Sequence, residues 1–205
     1  MPHASSLLAP AIAPGFRDPV FQSQATFRAV LDALAEPGAE RPVGGIAEAP
    51  APLSPVAAAV IATLADFETT VWRDPVLRTP EISAWLAFHT GAPAVDDPAR
   101  AVFGVIAAAE TCPDFADFAL GVDVDPSTST TLILQVAGFD GRRRYRLAGP
   151  GIDGAREVAI AGAPADLATR LAANRALFPC GVDLILAGPT SVIGLPRTTR
   201  IEEIG

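Results

Sequence analysis

Apolar residues at helical spacing first organise the chain in DPVFQSQATFRAVLDALAEPG, where Phe27, Val30, Leu31 and Leu34 fall on one face. Asp18 stands where an N-cap belongs, Pro19 suits the first helical position, and Pro37-Gly38 ends the pattern. A second helix is predicted to open at Ser54-Pro55 and run through alanine-rich sequence to about Phe67, with TTVW following as a short strand. Thr79-Pro80 opens a third helix, which ends at His89-Thr90-Gly91.

Further along, continuous apolar runs replace the helical period. AVFGVIAA (101–108), TTLILQVA (130–137) and VDLILAG (182–188) read as buried strands, with CPDFADFALG as a short helix stopped by Gly121. RRRYRLA and REVAIAG alternate and are expected to pair antiparallel; Pro164 then opens a helix through Leu167 and Leu171, and TSVIGLP closes the sheet. The expected fold is α/β: a three-layer mixed sheet with helices on both faces. It forms a single domain over residues 15–205, preceded by a flexible arm at 1–14. The arm contains AIA, which resembles a signal-peptidase site, but no basic residue precedes Arg17 and Pro10 cuts the apolar run short.

Composition narrows the chemistry. The net charge is −8, which disfavours non-specific binding to nucleic acid or an anionic membrane, and no apolar stretch approaches the ~18 residues of a membrane span. All 15 basic residues are arginine. Without lysine the chain cannot by itself form a Schiff base with pyridoxal phosphate or build a P-loop, so anions must be met by arginine forks, backbone N–H groups or a partner protein. Two widely separated cysteines, Cys112 and Cys180, suggest no disulfide framework and point to a cytoplasmic protein.

GPGIDG, from Gly149 to Gly154, matches G-x-G-x-x-G. In a dinucleotide site that motif opens a helix whose N-terminus meets the pyrophosphate. Here AREVAIAG follows with strand periodicity, Pro150 has no N–H to offer, and Asp153 would repel an anion. The motif is read as a tight connection between antiparallel strands.

No metal site is expected: His3 lies in the arm, His89 at a helix end, and no Cys/His pair has ligand spacing. The carboxylate pairs Asp96-Asp97, Asp114/Asp117, Asp123/Asp125 and Glu202-Glu203 sit in turns or the tail, as caps do. With His89 the one histidine of the ordered part, a catalytic triad is not expected, and Cys180 reads as a small turn residue. In RRRYR, alternation puts Arg142, Arg144 and Arg146 on one strand face. That strand is either a charge-guarded sheet edge or a docking strip for a polyanion or acidic partner.

Four segments taken in order carry more than any one alone: GFRDPVFQSQATFRAVLDALAEPG, LAGPGI, NRALFPCGVDLIL and LPRTTRI. Their order and spacing resemble the PhnH family, the H subunit of carbon-phosphorus lyase, along almost the whole chain. The resemblance implies a role in alkylphosphonate utilisation. There the family works with the G, I and L proteins to displace the base of a purine nucleoside triphosphate by a phosphonate, giving ribose 1-phosphonate 5-triphosphate. It further implies the fold of pyridoxal-phosphate-dependent transferases, a homodimer, and a core complex with the G, I and J subunits. The lysine-free sequence argues against the inherited cofactor, so no cofactor is expected and the role is an accessory one. A stand-alone enzyme or a binding module for a sugar phosphate or nucleotide is the alternative. No catalytic residue is assigned. The candidates for holding an anion such as a nucleoside triphosphate or phosphonate, or a partner, are Arg197, Thr198 and Thr199 in LPRTTRI, Asn174, Asp183 and Gln24 in the other segments, and Arg142, Arg144 and Arg146.

Overall fold

The computed structural model describes residues 12–205. His3, Ala11 of the AIA tripeptide and most of the expected arm lie outside the described residues, while its last part is tethered. Ala13 O contacts His89 Nε2 at 3.0 Å, and Pro14 O accepts from Trp85 Nε1 at 3.4 Å.

Three helices form where proline-containing caps predict them. Helix α1 (Pro19–Ala35) is capped by Asp18, whose carboxylate accepts from Phe21 N; α2 (Pro55–Leu64) by Ser54; and α3 (Pro80–Thr90) by Thr79, with Gly91 closing it in the left-handed conformation. Helix α2 stops at Leu64, short of Phe67, because Thr63 turns its hydroxyl back onto the helix and Asp66 begins a local turn with Thr69.

The strands are β1 (Arg41–Pro42), β2 (Val71–Arg73), β3 (Ala94–Val95), β4 (Phe103–Ile106), β5 (Leu120–Val122), β6 (Asp125–Ser129), β7 (Thr131–Gln135), β8 (Arg144–Ala148), β9 (Arg156–Ala159), β10 (Asp183–Ala187), β11 (Ser191–Leu195) and β12 (Arg200–Glu203), with helix α4 (Leu167–Ala176) between β9 and β10. Seven strands make the main sheet in the order β1-β11-β10-β7-β4-β2-β3. From β10 to β3 they run parallel; β11 and β1 pair antiparallel. Thus β11 lies inside the sheet, and the expected closing strand is flanked by the two-residue β1. The CPDFADFALG stretch forms only a 3-10 turn, Phe115–Asp117, before β5, since its cap Asp114 bonds Ala116 N and Phe118 is drawn into the core.

Leu, Ile and Val of the parallel strands alternate between two cores. Val105, Ile133 and Ile185 face α1, α2 and α3, whereas Leu132, Leu134, Leu184 and Leu186 face the opposite way. That second face is covered by α4 together with a separate three-stranded sheet, β12-β8-β9, which contributes Tyr145, Leu147 and Val158. Helices therefore cover one face fully and share the other with strands. RRRYR is also no edge: β8 is the middle strand of the small sheet, paired antiparallel on both sides.

The apolar face read for α1 is only partly the buried one. Thr26, Val30 and Ala33 are inward, while Phe27 and Leu31 stay about half exposed, at 49% and 55%. Gly194 of β11 sets this: a Cβ there would lie 2.6 Å from Ala33 O, so the helix backbone rests on the strand and turns its small residues inward.

Candidate functional site

Arg197 leaves the buried strand β11 and enters a ring of acceptors. Its Nε and Nη2 hold the two oxygens of Asp183 at 3.1 and 2.5 Å, Nη1 donates to Pro126 O and Pro179 O at 3.1 and 3.2 Å, and Nη2 also donates to Ser129 Oγ at 2.5 Å. Its backbone N–H adds a further bond to Asp183 Oδ1. A guanidinium has five N–H donors, and here all are engaged by protein groups. The half-buried fork thereby ties together the starts of β10 and β12, the end of β6 and the turn after α4. An arginine so saturated positions its neighbours and has no donor free to receive an outside anion.

Asn174 does related work one layer deeper. Buried near the end of α4, it donates from Nδ2 to Val182 O and accepts from Val182 N through Oδ1, mimicking a strand partner for the residue before β10. Gly181 is required beside it, because a Cβ there would lie 2.7 Å from Asn174 Oδ1 and its φ is +116°. Thr199 is buried and its hydroxyl has no hydrogen-bond partner.

This scaffold brings three of the quoted segments to one place. Pro150 of LAGPGI, Arg175 and Phe178 of NRALFPCG, and Thr198 of LPRTTR line a cavity of about 230 Å³. Arg175 sits in the last turn of α4, where the helix dipole favours a cation, and it is exposed. Phe178 is 63% exposed. One cation, one hydroxyl and an apolar wall suit a small oxyanion bearing an apolar group, or the side chain of a partner. Arg175 and Phe178 were within the quoted motif but carried no signal separating them from their neighbours. Ser129, a member of the acceptor ring around Arg197, sits in a polar run with nothing to mark it.

The remaining candidates lie apart. Gln24 is on the outer face of α1, in line with exposed Val20, Phe27 and Leu31. Arg144 and Arg146 point outward from β8, bonded to Glu157 of β9 at 2.7 and 3.7 Å, and exposed Arg142 precedes them. GPGIDG is the β8–β9 connection; its Gly151, at φ +79°, packs so closely that a Cβ would lie 2.0 Å from Ala35 O at the end of α1. A larger cavity, about 460 Å³, lies between Pro14–Arg17, Gln22 and the Gly45–Glu48 loop.

Sheets of this kind bind ligands where crossover direction reverses. The reversal falls between β2 and β4, and there the buried Asp74 spans the gap, accepting from Ala107 N at 3.3 Å while its own N–H donates to Val105 O. Burial raises the Cys112 thiol to about 12. Cys180 is also raised, by desolvation first and then by Asp123, whose carboxylate its thiol faces at 3.5 Å. Neither is an activated nucleophile. Among the described residues no three His, Cys, Asp or Glu gather to hold a metal, and no helix is long and apolar enough to cross a membrane.

Such a molecule is an α/β protein whose polar clusters are spent on joining its own elements, with exposed arginines and an exposed helix seam left at its surface. Comparison with known proteins agrees. The model of the bacterial phosphonate metabolism protein family PhnH matches residues 14–202. The subunit PhnH of alpha-D-ribose 1-methylphosphonate 5-triphosphate synthase from Rhizobium meliloti (strain 1021) is 40% identical over 187 residues, covering 91% of this chain and 94% of that protein. A putative C-P lyase subunit protein, HtxG, of Stutzerimonas stutzeri is 34% identical over 82 residues, 40% of this chain and 42% of its own. The chain belongs to the PhnH family.

Proposed function

We propose that this protein is an accessory, noncatalytic subunit of a carbon-phosphorus lyase core complex, required for forming a ribose 1-alkylphosphonate 5-triphosphate from a purine nucleoside triphosphate and an alkylphosphonate. The observation that carries this reading is the near end-to-end match to a relative named as a synthase subunit. The residue chemistry supports it. With no lysine anywhere, an aldimine cannot form, and both thiols are held protonated near neutral pH.

Partners in this reading are the G, I and J subunits, with the L protein acting in the same pathway, all in the cytoplasm. A second copy of the chain pairs with it when it is isolated. Val20, Gln24, Phe27 and Leu31 recur at steps of four, three and four residues along α1, the spacing of a helix–helix seam, and the three apolar members are half exposed or more. Gln24 in that seam acts as a register-setting polar residue. The Pro150–Arg175–Phe178–Thr198 cleft serves as the anion or partner contact, with Arg197, Asp183, Asn174 and Thr199 shaping it.

Tagged protein co-expressed with the G, I and J subunits should bring them down as a stable assembly, and the isolated chain should release no adenine from ATP with methylphosphonate. Adenine release by the chain alone would overturn the accessory role; failure to recover any subunit would overturn complex membership.

A further inference from the structure

The small sheet has one face in the core and one in solvent, and the solvent face is rich in arginine. Ile201, Leu147 and Tyr145 alternate inward, so their neighbours Arg200, Arg146, Arg144 and, across the ladder, Glu202 and Glu157 stand outward. Registered pairs fix the layout: Arg200 lies opposite Ala148, Arg146 lies between Glu202 and Glu157, and Arg144 lies opposite Ala159. With exposed Arg142 at the approach to β8, four arginines meet two carboxylates, and Glu157 serves both Arg144 and Arg146. This surplus stands on a chain whose net charge is −8. Like charges gathered on one face repel one another, and an acidic partner seated there relieves that repulsion.

Resting on the subunit reading above, we infer that the outer face of β12-β8-β9 docks an acidic, extended segment of a partner protein. The spacing favours a polypeptide. Side chains two apart on β8 recur about every 6–7 Å, which is also the step between alternate carboxylates of an extended chain. The face is a flat ladder, whereas a small polyanion such as a triphosphate is held in a concave, convergent site. Guanidinium groups pair with carboxylates bidentately and are less strongly hydrated than ammonium groups, which suits an interface that must shed water.

The test uses the full chain and a peptide of roughly twelve residues alternating Glu and Thr, which is extended and carries a carboxylate at every second position. Titration calorimetry at low salt should show saturable binding that weakens as salt rises from about 50 to about 200 mM. Arg142→Gln, Arg144→Gln and Arg146→Gln combined should weaken it at least about tenfold, while Arg28→Gln with Arg100→Gln, exposed arginines elsewhere, should change it less than about twofold. Glu157→Gln frees Arg144 and Arg146 and should tighten binding severalfold, a gain that a misfolded variant cannot give. Absence of binding, equal loss in the control variant, or binding of inorganic tripolyphosphate at this face without the peptide would overturn the inference. Recovery of partner subunits by wild-type protein alongside a negative peptide result would overturn this face alone and leave complex membership standing.

Discussion

Arg197 shows how a residue's job depends on what its donors meet. In LPRTTRI it looks like an anion receptor; in the fold its fork is closed by Asp183, Ser129 and two carbonyls. Arg197→Gln should therefore act as a stability mutation, lowering unfolding free energy by about 3 kcal/mol because Asp183 is left partly buried without its cation. Urea titration checks this, and Arg197→Met with Asp183→Leu should recover part of the loss. Cys112 gives a pH prediction. Its folded pKa is raised to about 12 from an ordinary 9.0, so between those values the unfolded chain loses a proton that the folded one keeps. Stability contributed by the neutral thiol is fully present below pH 9 and declines as pH rises toward 12. At pH 8 the folded protein should react with a thiol reagent slowly, and at Cys180 before Cys112, since the former is the less buried; rapid modification of Cys112 under native conditions would contradict this.

At the scale of elements, the glycines of GPGIDG are explained by packing of one strand connection on one helix end. Gly151→Ala should cost more than about 2 kcal/mol, from the positive φ and the collision with Ala35 O together. Differential scanning of the variant against wild type would show it as a lowered midpoint, with no change in nucleotide affinity. Ser54 links elements more gently. It caps α2 through Ala57 N and donates its own N–H to Gln135 at the end of β7. Ser54→Ala removes the cap and keeps the second bond, so a loss of about 1 kcal/mol is expected. These elements were largely readable in advance, because Asp18, Ser54 and Thr79 each precede a proline that pre-sets the first helical turn, and because runs such as TLILQ can only be buried on both faces. The short strands β1, β3 and β12 were not readable, since two to four residues carry too little periodicity and owe their conformation to the neighbour they pair with.

For the whole molecule, the exposed α1 seam sets the test of self-association. Phe27→Glu with Leu31→Gln should shift the isolated protein from the proposed dimer to monomer in light scattering while leaving far-UV circular dichroism unchanged, as both side chains are half exposed already. A dimer that survives the pair would mean the seam is not its interface.

The amino-acid order alone determined the helix caps, the doubly buried strands, the antiparallel β8–β9 pair and the absence of lysine chemistry, because each follows from short-range sterics, burial period or the residue inventory. Only the tertiary structure decided which side of α1 is buried, that RRRYR occupies a central strand, and that Arg197 is closed while Arg175 is open. Those outcomes depend on backbone approach at Gly194 and on acceptors drawn from β6, β10 and the turn after α4, residues far apart in sequence whose meeting no local pattern encodes.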